Sequence, residues 1–572
     1  MTDTPRSEQF DDVYFSAKDG AAETEHVFLN GNNLPEAWQG KARFCIGETG
    51  FGTGLNFLLA WEAFEKTADA GAFLDFVSVE KYPLRAEEIR KGLSPWAERL
   101  GPYLDKMIAQ YPMNVPGFHR IVFDGRVALT LVFGDANEVL PEIGGSVDAW
   151  FLDGFTPSKN PDMWTETVFR EMARLSHSGT TFSTFTAAGF VKRGLREAGF
   201  IVEKRKGFGW KADMLAGRFA GEEGRPLTPH FSPRGRGGKI AVHGAGLAGC
   251  AAAYVLKQYG FEPVLYDPNG IAAGASGNPL GLVNPRFSAF RTAESDFYTA
   301  AFAMAARVFN GMEGVEYRPH GALHLIADAE KEKKLTRTAE NWGWDGALMC
   351  VASAQEASAI AGVKVDHPAL YLPRSASVSP AALCRAYARG VRIADAAPEG
   401  MPVVYAVGAG SPEHPALAHL PLHTVRGQIT FAAATDESAR LETSIGYGGY
   451  VAPAVDGVHT VGSTFQKWMS DTNVREEDDA ANMQGLAEAV PSLAGMAVTG
   501  SRAALRTSAR DRFPVVGMIE GGFVSTAHGS HGILSSLMAA HLIADMLRGG
   551  PYCLGKASVK ALSPQRFQGK GV

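Results

Sequence analysis

Two short stretches gather residues whose types and spacing could do chemistry. In "CIGETGFGTGLNF" an apolar run meets Glu48, Gly50, Gly52 and Gly54, and a helical pattern follows. In "KIAVHGAGLAGCAAAYVL" the same happens at Gly244, Gly246 and Gly249. Glycine lets a chain turn tightly and lets a ligand approach with no Cβ in the way. A helix N-terminus adds an anion site. Glu48 inside the first turn is hostile to a phosphate. It suits a cationic ligand, either directly or by orienting the groups beside it. S-adenosylmethionine, with its sulfonium and ammonium, fits that charge logic. Glu80 ends the next strand, where a carboxylate can take ribose hydroxyls. Asp135 ends the third, near the expected place of an adenine amino group, and Asp153 ends the fourth, facing the methyl group. Methyl transfer is an in-line displacement by a neutral amine, so positioning dominates it, and Asp153 could orient the incoming nitrogen. The plainer alternative is that these acids cap strand ends and turns.

The second turn has no acid within it, as a pyrophosphate requires. Asp267 ends the following strand, where it can bind ribose hydroxyls. Strand, glycines, helix, strand and acid together make the dinucleotide fingerprint, which does not by itself separate FAD from NAD.

These residues need elements to hold them. Apolar runs at 42–47, 73–80, 127–134, 147–152 and 180–186 read as strands, with helical patterns at 55–65 and 189–198. Near-continuous apolar strands alternating with helices imply a parallel sheet covered on both faces. Residues 221–238 hold five glycines and three prolines without apolar periodicity and read as a linker. Beyond it, 239–243, 247–259 and 262–267 form a second βαβ unit, and later runs at 321–327, 423–431 and 458–463 suggest an inserted, more antiparallel region. The expected class is α/β: a methyltransferase-like Rossmann sheet over 1–220, then a dinucleotide-binding domain over 239–572.

The 572 residues suit two to four domains, and no apolar run approaches the ~18 residues that span a bilayer. The polar N-terminus shows no leader pattern, so a soluble cytoplasmic protein is expected. The five cysteines are scattered without a C-x-x-C pair, arguing against a disulfide framework and a metal site; Cys45 and Cys250 read as core fillers. A net charge of −6 gives no global pull toward nucleic acid but allows a local basic patch.

The trio Glu48, Glu80 and Asp135 behind E-x-G-x-G-x-G resembles the class I methyltransferases. An ordered series after the linker resembles the FAD-dependent D-amino-acid, glycine and sarcosine oxidase superfamily. It runs through Ser276-Gly277-Asn278, "VVYAVGAG", "TVRGQIT", "GGYVAPAVDGVHTVGSTF" and "ALRTSARDRFPVVG" to Gly529-Ser530-His531-Gly532. That resemblance implies FAD, with the dipole of the last helix facing the reduced flavin, and it implies that Arg506 pairs with a substrate carboxylate; Arg426 and Arg502 read as structural ion-pair residues. "FDDVYFSAKDGAAETEHVFLNGNNLPEAW" and "FLDGFTPSKNPDMW" are similar to the bifunctional tRNA 5-methylaminomethyl-2-thiouridine biosynthesis family.

Membership of that family implies two steps on the wobble uridine of tRNA: oxidative removal of a carboxymethyl group, then N-methylation from S-adenosylmethionine. It implies no membrane, no metal and no fixed oligomeric state, with a monomer favoured. For the tRNA, residues 192–211 carry seven Lys or Arg against two Glu, beside Phe208 and Trp210, and Arg234, Arg236 and Lys239 follow. The same run also reads as a solvated helix plus an edge strand. Two positions depart from the family pattern: His531 stands where Arg is expected, and "GFGWKADM" is less basic. A fused glycine- or sarcosine-type oxidase with a small-molecule amine methyltransferase is the alternative function, and a tRNA-binding scaffold without catalysis is a third.

Overall fold

The computed structural model describes residues 6–7, 9–15, 19–209, 211–221, 238–467 and 469–568. Most of the 221–238 stretch, with Arg234 and Arg236, lies outside them, as does Trp210. The chain divides into two compact units: Met1–Gly238 with Gln258–Gly260 and Ala544–Ala557, and Lys239–Lys257 with Phe261–Ile543 and Ser558–Val572.

The first unit is built on one eight-stranded sheet. Its elements are β1 (Arg43–Thr49), α1 (Leu55–Thr67), β2 (Phe73–Glu80), β3 (Gly117–Phe123), β4 (Val127–Phe133), β5 (Val147–Leu152), β6 (Ser176–Thr184), β7 (Phe200–Lys206) and β8 (Asp213–Phe219). The strand order is β3-β4-β2-β1-β5-β6-β8-β7. β4, β2, β1, β5 and β6 run parallel. β3 closes one edge antiparallel, and the β7–β8 hairpin closes the other.

The all-apolar strands are explained by two cores, one on each face. Along β1, Phe44 and Ile46 pack into one cluster with Phe57, Trp61 and Phe64 of α1, while Cys45 between them packs into the other. β2 does the same, with Leu74 and Phe76 in the first cluster and Val77 and Val79, on the other face, in the second. Successive side chains of a strand point to opposite faces, so a strand buried on both is mainly apolar and its buried polar residues, such as Glu48 and Ser78, are hydrogen-bonded to each other. Each fully buried Phe, Leu or Val here contributes about 1.5–3 kcal/mol.

The second unit carries a parallel sheet and an antiparallel one. β9 (Lys239–His243), α2 (Leu247–Gln258) and β10 (Glu262–Tyr266) form its opening βαβ. β11 (Arg392–Ile393), β12 (Val403–Tyr405), β15 (Val515–Ile519) and β16 (Gly522–Thr526) complete the order β11-β10-β9-β12-β16-β15. Between them are inserted β13 (Leu422–Ala433) and β14 (Val498–Ala509), the longest pair of a nine-stranded, mainly antiparallel sheet. Helix α3 (Gly532–Arg548) follows β16.

The expected strands and the inserted antiparallel region are present with shifts of a few residues. In the first sheet, β3, β7 and β8 are strands that the apolar runs do not mark. β3 and β7 are the sheet edges, where one side of the ladder is open and the all-apolar signature is lost, and β8 joins β7 to β6. The basic run divides into a helix at Gly189–Glu197 and the edge strand β7. Cys45 and Cys250 are fully buried free thiols, as expected. No described helix is long and apolar enough to cross a membrane, and the described residues hold no cluster of potential metal ligands.

Candidate active sites

In the first unit the strand order reverses at β1, with β2 on one side and β5 on the other. Such a switch point opens a crevice beyond the carboxyl ends of the strands. A cavity of ≈ 580 Å³ lies there, and Gly50, Gly52, Glu80, Asp135 and Asp153 are on its wall. Three turn glycines are in the left-handed region, Gly50 at φ +80°, Gly52 at +52° and Gly54 at +79°. A Cβ on Gly50 would come within 3.2 Å of Gly154 Cα, and one on Gly52 within 3.2 Å of the Tyr14 ring. The turn is therefore shaped by close approach to its own walls, which leaves the cavity open.

Each acid has a defined job in that wall. Glu80 accepts from the Gly52 amide at 2.9 Å and from the Tyr82 amide at 2.8 Å, so it braces the glycine turn while lining the cavity. Burial pushes its carboxyl above the ordinary value, against those amide bonds. Asp135 caps the short helix that follows it through the Asn137 amide at 2.9 Å and takes Lys81 Nζ at 2.7 Å. Burial pushes that carboxyl up, but the Lys81 and Asn137 bonds outweigh it and hold the group below its ordinary value. Asp153 Oδ2 accepts from Asn56 Nδ2 at 2.7 Å. Loss of water around Asp153 pushes its carboxyl up to about 7, the Gly154 and Asn56 bonds opposing.

Glu48 departs from the direct form of the expectation. It is 1 % exposed and absent from the cavity wall, bonded to Asn56 and Ser78. Buried behind the wall and bonded to Asn56, it is placed for the orienting role rather than for direct contact. Gly54 also stands behind the wall, at the N-terminus of α1, where a Cβ would strike the Phe51 ring at 2.7 Å.

Sequence reasoning missed Asn56, Tyr14 and the aromatic rim. Phe155 stacks on Phe10 at 4.8 Å and meets Tyr14 edge-on at 5.2 Å. Lys211 pairs with Glu23 at 3.0 Å and lies over the Phe185 ring. An aromatic-rich segment before the sheet was the one available signal.

The second unit holds a cavity of ≈ 810 Å³ at the end of β9 and the start of α2 and α3. Gly246, Asp267, Ser276, Asn278, Arg506, Gly529, Ser530 and Gly532 are on its wall. Gly244 and Gly249 are behind it and set its shape. A Cβ on Gly244, at φ +103°, would lie 2.2 Å from the Ala406 carbonyl oxygen, and one on Gly249 would lie 1.8 Å from that of Gly244. Both obstacles are backbone, so α2 packs this close to β9 only with glycine. Asp267 accepts from the Ala245 amide at 2.8 Å, and Ser276 Oγ accepts from the Leu247 amide at 3.0 Å at the start of α2. Gly277 is also off the wall, under the Arg502 guanidinium. Arg502 holds Asn278 and the Gly274 carbonyl, and Arg426 is buried against Asp478 and Gln466. Arg426 is thus in an ion pair, whereas Arg502 is held by an amide oxygen and a carbonyl. Gly249→Val is accordingly expected to yield protein without flavin absorbance, measured on the purified chain against wild type.

Arg506 differs from them. Its Nη1 donates to Ser530 Oγ at 3.0 Å and its Nη2 to Ser463 Oγ at 2.7 Å, and the guanidinium faces the Phe465 ring at 4.6 Å. Burial lowers its pKa from the ordinary value. It is a cation on a cavity wall held by hydroxyls rather than by a carboxylate. Gly427, unnoticed in the sequence, makes this possible, because a Cβ there would sit 2.1 Å from Arg506 Nη2. A glycine inside a long strand marks such a close approach. His531 stands on the same wall; burial pushes it down to about 4, with the positive charges of Arg286 and Arg506 adding to the shift, so it is neutral at pH 7.

The two sites thus have the forms of a methyl-donor crevice and a dinucleotide cradle, and comparison with known proteins agrees. The S-adenosyl-L-methionine-dependent methyltransferase family matches residues 98–220, and the FAD dependent oxidoreductase family matches 239–397 and 389–546. The tRNA 5-methylaminomethyl-2-thiouridine biosynthesis bifunctional protein MnmC of Pseudomonas aeruginosa is 37% identical, covering 98% of this chain and 96% of its own. That of Methylobacillus flagellatus is 36% identical, covering 98% and 94%. Glycine oxidase from Geobacillus kaustophilus shares the fold of the second unit at 19% identity and a TM-score of 0.50, covering 58% of this chain and 100% of its own. The chain belongs to the bifunctional tRNA 5-methylaminomethyl-2-thiouridine biosynthesis family. It is a bifunctional enzyme, a methyltransferase using S-adenosylmethionine and an oxidoreductase using FAD.

Proposed function

We propose that the chain converts the 5-carboxymethylaminomethyl group of the wobble uridine in tRNA to 5-methylaminomethyl in two steps, one in each cavity. The observation that carries this reading is Arg506, a cavity-facing guanidinium bonded only to hydroxyls. The carboxymethylamino group is a glycine unit, and its carboxylate fits the fork of a guanidinium in a two-bond pair. Bound FAD supplies the two-electron oxidation of the C–N bond. Gly246 on the wall would leave room for its pyrophosphate, Gly244 and Gly249 behind it set the close packing of the turn, and Asp267 stands where a ribose would be held. Arg506 holds the carboxylate end, Ser463 and Ser530 hold Arg506, and the walls limit water. Hydrolysis of the resulting imine releases glyoxylate and leaves an aminomethyl group.

In the first cavity Glu80 would take the ribose hydroxyls of S-adenosylmethionine and Asp135 the adenine amino group. S-adenosylmethionine supplies the methyl group. Asp153 takes a proton from the substrate ammonium and orients the free amine, since only the neutral nitrogen has a lone pair to attack with. The tRNA itself is proposed to meet the basic face formed by Gly189–Glu197 and β7, in the cytoplasm where tRNA is modified.

The test is to incubate the chain with tRNA from cells lacking this activity, with and without S-adenosylmethionine, and weigh the nucleosides. Without the methyl donor, the carboxymethyl mass is expected to disappear from the wobble nucleoside; with it, one methyl is gained. An unchanged nucleoside would sink the reading, and turnover of free glycine instead would favour a small-molecule oxidase.

A further inference from the structure

Asn56 joins two carboxyls that the reaction treats differently. It stands in the first turn of α1, directly after the glycine turn. Its Nδ2 donates one hydrogen to Glu48 Oε1 at 2.9 Å and the other to Asp153 Oδ2 at 2.7 Å. Its Oδ1 accepts from Thr24 Oγ1 at 2.8 Å. Every hydrogen-bonding position of the amide except one acceptor lone pair is therefore in use, and its orientation is fixed by two acceptors on one side and a hydroxyl on the other. Glu48 in turn shares a hydrogen bond of 2.6 Å with Ser78 Oγ.

We propose that Asn56 is a positioning residue for methyl transfer, aiming the Asp153 carboxylate at the acceptor amine by tying it to the buried Glu48 through a single amide. The proposal rests on the methyltransferase reading of this cavity. Two carboxylates that share one amide are close enough to repel strongly, so the pair carries a single charge most cheaply. Burial pushes the Glu48 carboxyl well above its ordinary value, the Ser78 and Asn56 bonds opposing and the nearby Asp153 adding to the rise. Ser78 Oγ donates to Glu48 Oε2, and Oε1 accepts from Asn56. The one negative charge falls on Asp153, on the cavity wall. The other charged groups facing Asp153 are Glu23 and Lys211, which pair with each other at 3.0 Å; Glu80, on β2, faces Glu48.

The proton path balances. The substrate ammonium gives one proton to the Asp153 carboxylate, and the free amine lone pair forms the new N–C bond as the methyl–sulfur bond breaks, its electrons returning to sulfur. The product leaves as a secondary ammonium. Asn56 neither gains nor loses a proton.

Two variants of the full chain test this, with aminomethyl-bearing tRNA as substrate. Asn56→Ala is expected to lower kcat about 10²-fold, the cost of a misplaced reacting group. Its S-adenosylmethionine Kd should stay within about threefold of wild type, and the acid limb of its pH profile should move to higher pH, because a bond that favoured the ionised Asp153 is gone. Glu48→Gln keeps an acceptor oxygen for Asn56, so its kcat should fall by less than that of Asn56→Ala. Donor affinity measured in both variants separates misfolding from misplacement. An Asn56→Ala kcat within threefold of wild type, an unmoved limb, or loss of donor binding in either variant overturns the proposal. Failure of wild-type chain to methylate the same tRNA would count against the functional reading instead.

Discussion

Asp153→Asn is expected to cut the methylation kcat by about 10²–10⁴, the usual range for a positioned acid–base group, while oxidation continues and aminomethyl nucleoside accumulates. The reason is charge. Asp153 is the cavity-wall acid that the structure places beyond the end of β5, and the amide of Asn has no site to receive the ammonium proton. The substitution is nearly isosteric, so donor binding should survive and KM for S-adenosylmethionine should change little. A pH prediction follows with a definite sign. Asp153 is pushed up to about 7 by burial, and only its ionised form can accept a proton. Wild-type methylation should therefore fall as pH drops below about 7, and this limb should be lost with the carboxyl. Rates of methyl incorporation between pH 6 and 9 measure both effects.

Arg506→Met should act on the other half reaction, lowering kcat/KM for oxidation of carboxymethylaminomethyl tRNA by about 10²–10³. At about 1.4 kcal/mol per factor of ten that corresponds to roughly 3–4 kcal/mol, within reach of a desolvated two-bond ion pair. Methionine fills similar space, so the flavin spectrum should be unchanged. Arg506→Lys should recover little, because a point charge lacks the fork that matches a carboxylate. Flavin reduction by tRNA, followed at the flavin absorbance, reads the effect. Methylation of an aminomethyl tRNA should be untouched, since that substrate has no carboxylate to hold.

Much of this was legible because the signals are local. The glycine turns, the acids at strand ends and the apolar strands are each contained in a dozen residues, and the structure puts Glu80, Asp135, Asp153, Asp267 and Arg506 on cavity walls. What could not be read depends on contacts between distant segments. Asn56 meets Asp153 across 97 residues, and Gly427 lies under Arg506 only because β13 and β14 pair in one register. Glu48 was legible as an acid in the turn but not in its direction, since a one-residue step along a strand swaps the faces. The edge strands β3 and β7, and β8 beside β7, escaped because they lack a continuous apolar run. His531 had been expected to be Arg; its neutrality leaves Arg506 as the guanidinium bonded to Ser530 beside the start of α3.

The central claim is that two cavities act in sequence on one nucleoside, and a time course tests it most directly. Carboxymethylaminomethyl tRNA would be mixed with the chain and excess S-adenosylmethionine, and all three nucleosides and glyoxylate would be quantified together. The account predicts that aminomethyl nucleoside rises first and then falls, that methylaminomethyl nucleoside appears after a lag, and that glyoxylate equals the sum of the two at every point. Methylated product formed without a lag and without matching glyoxylate would contradict it.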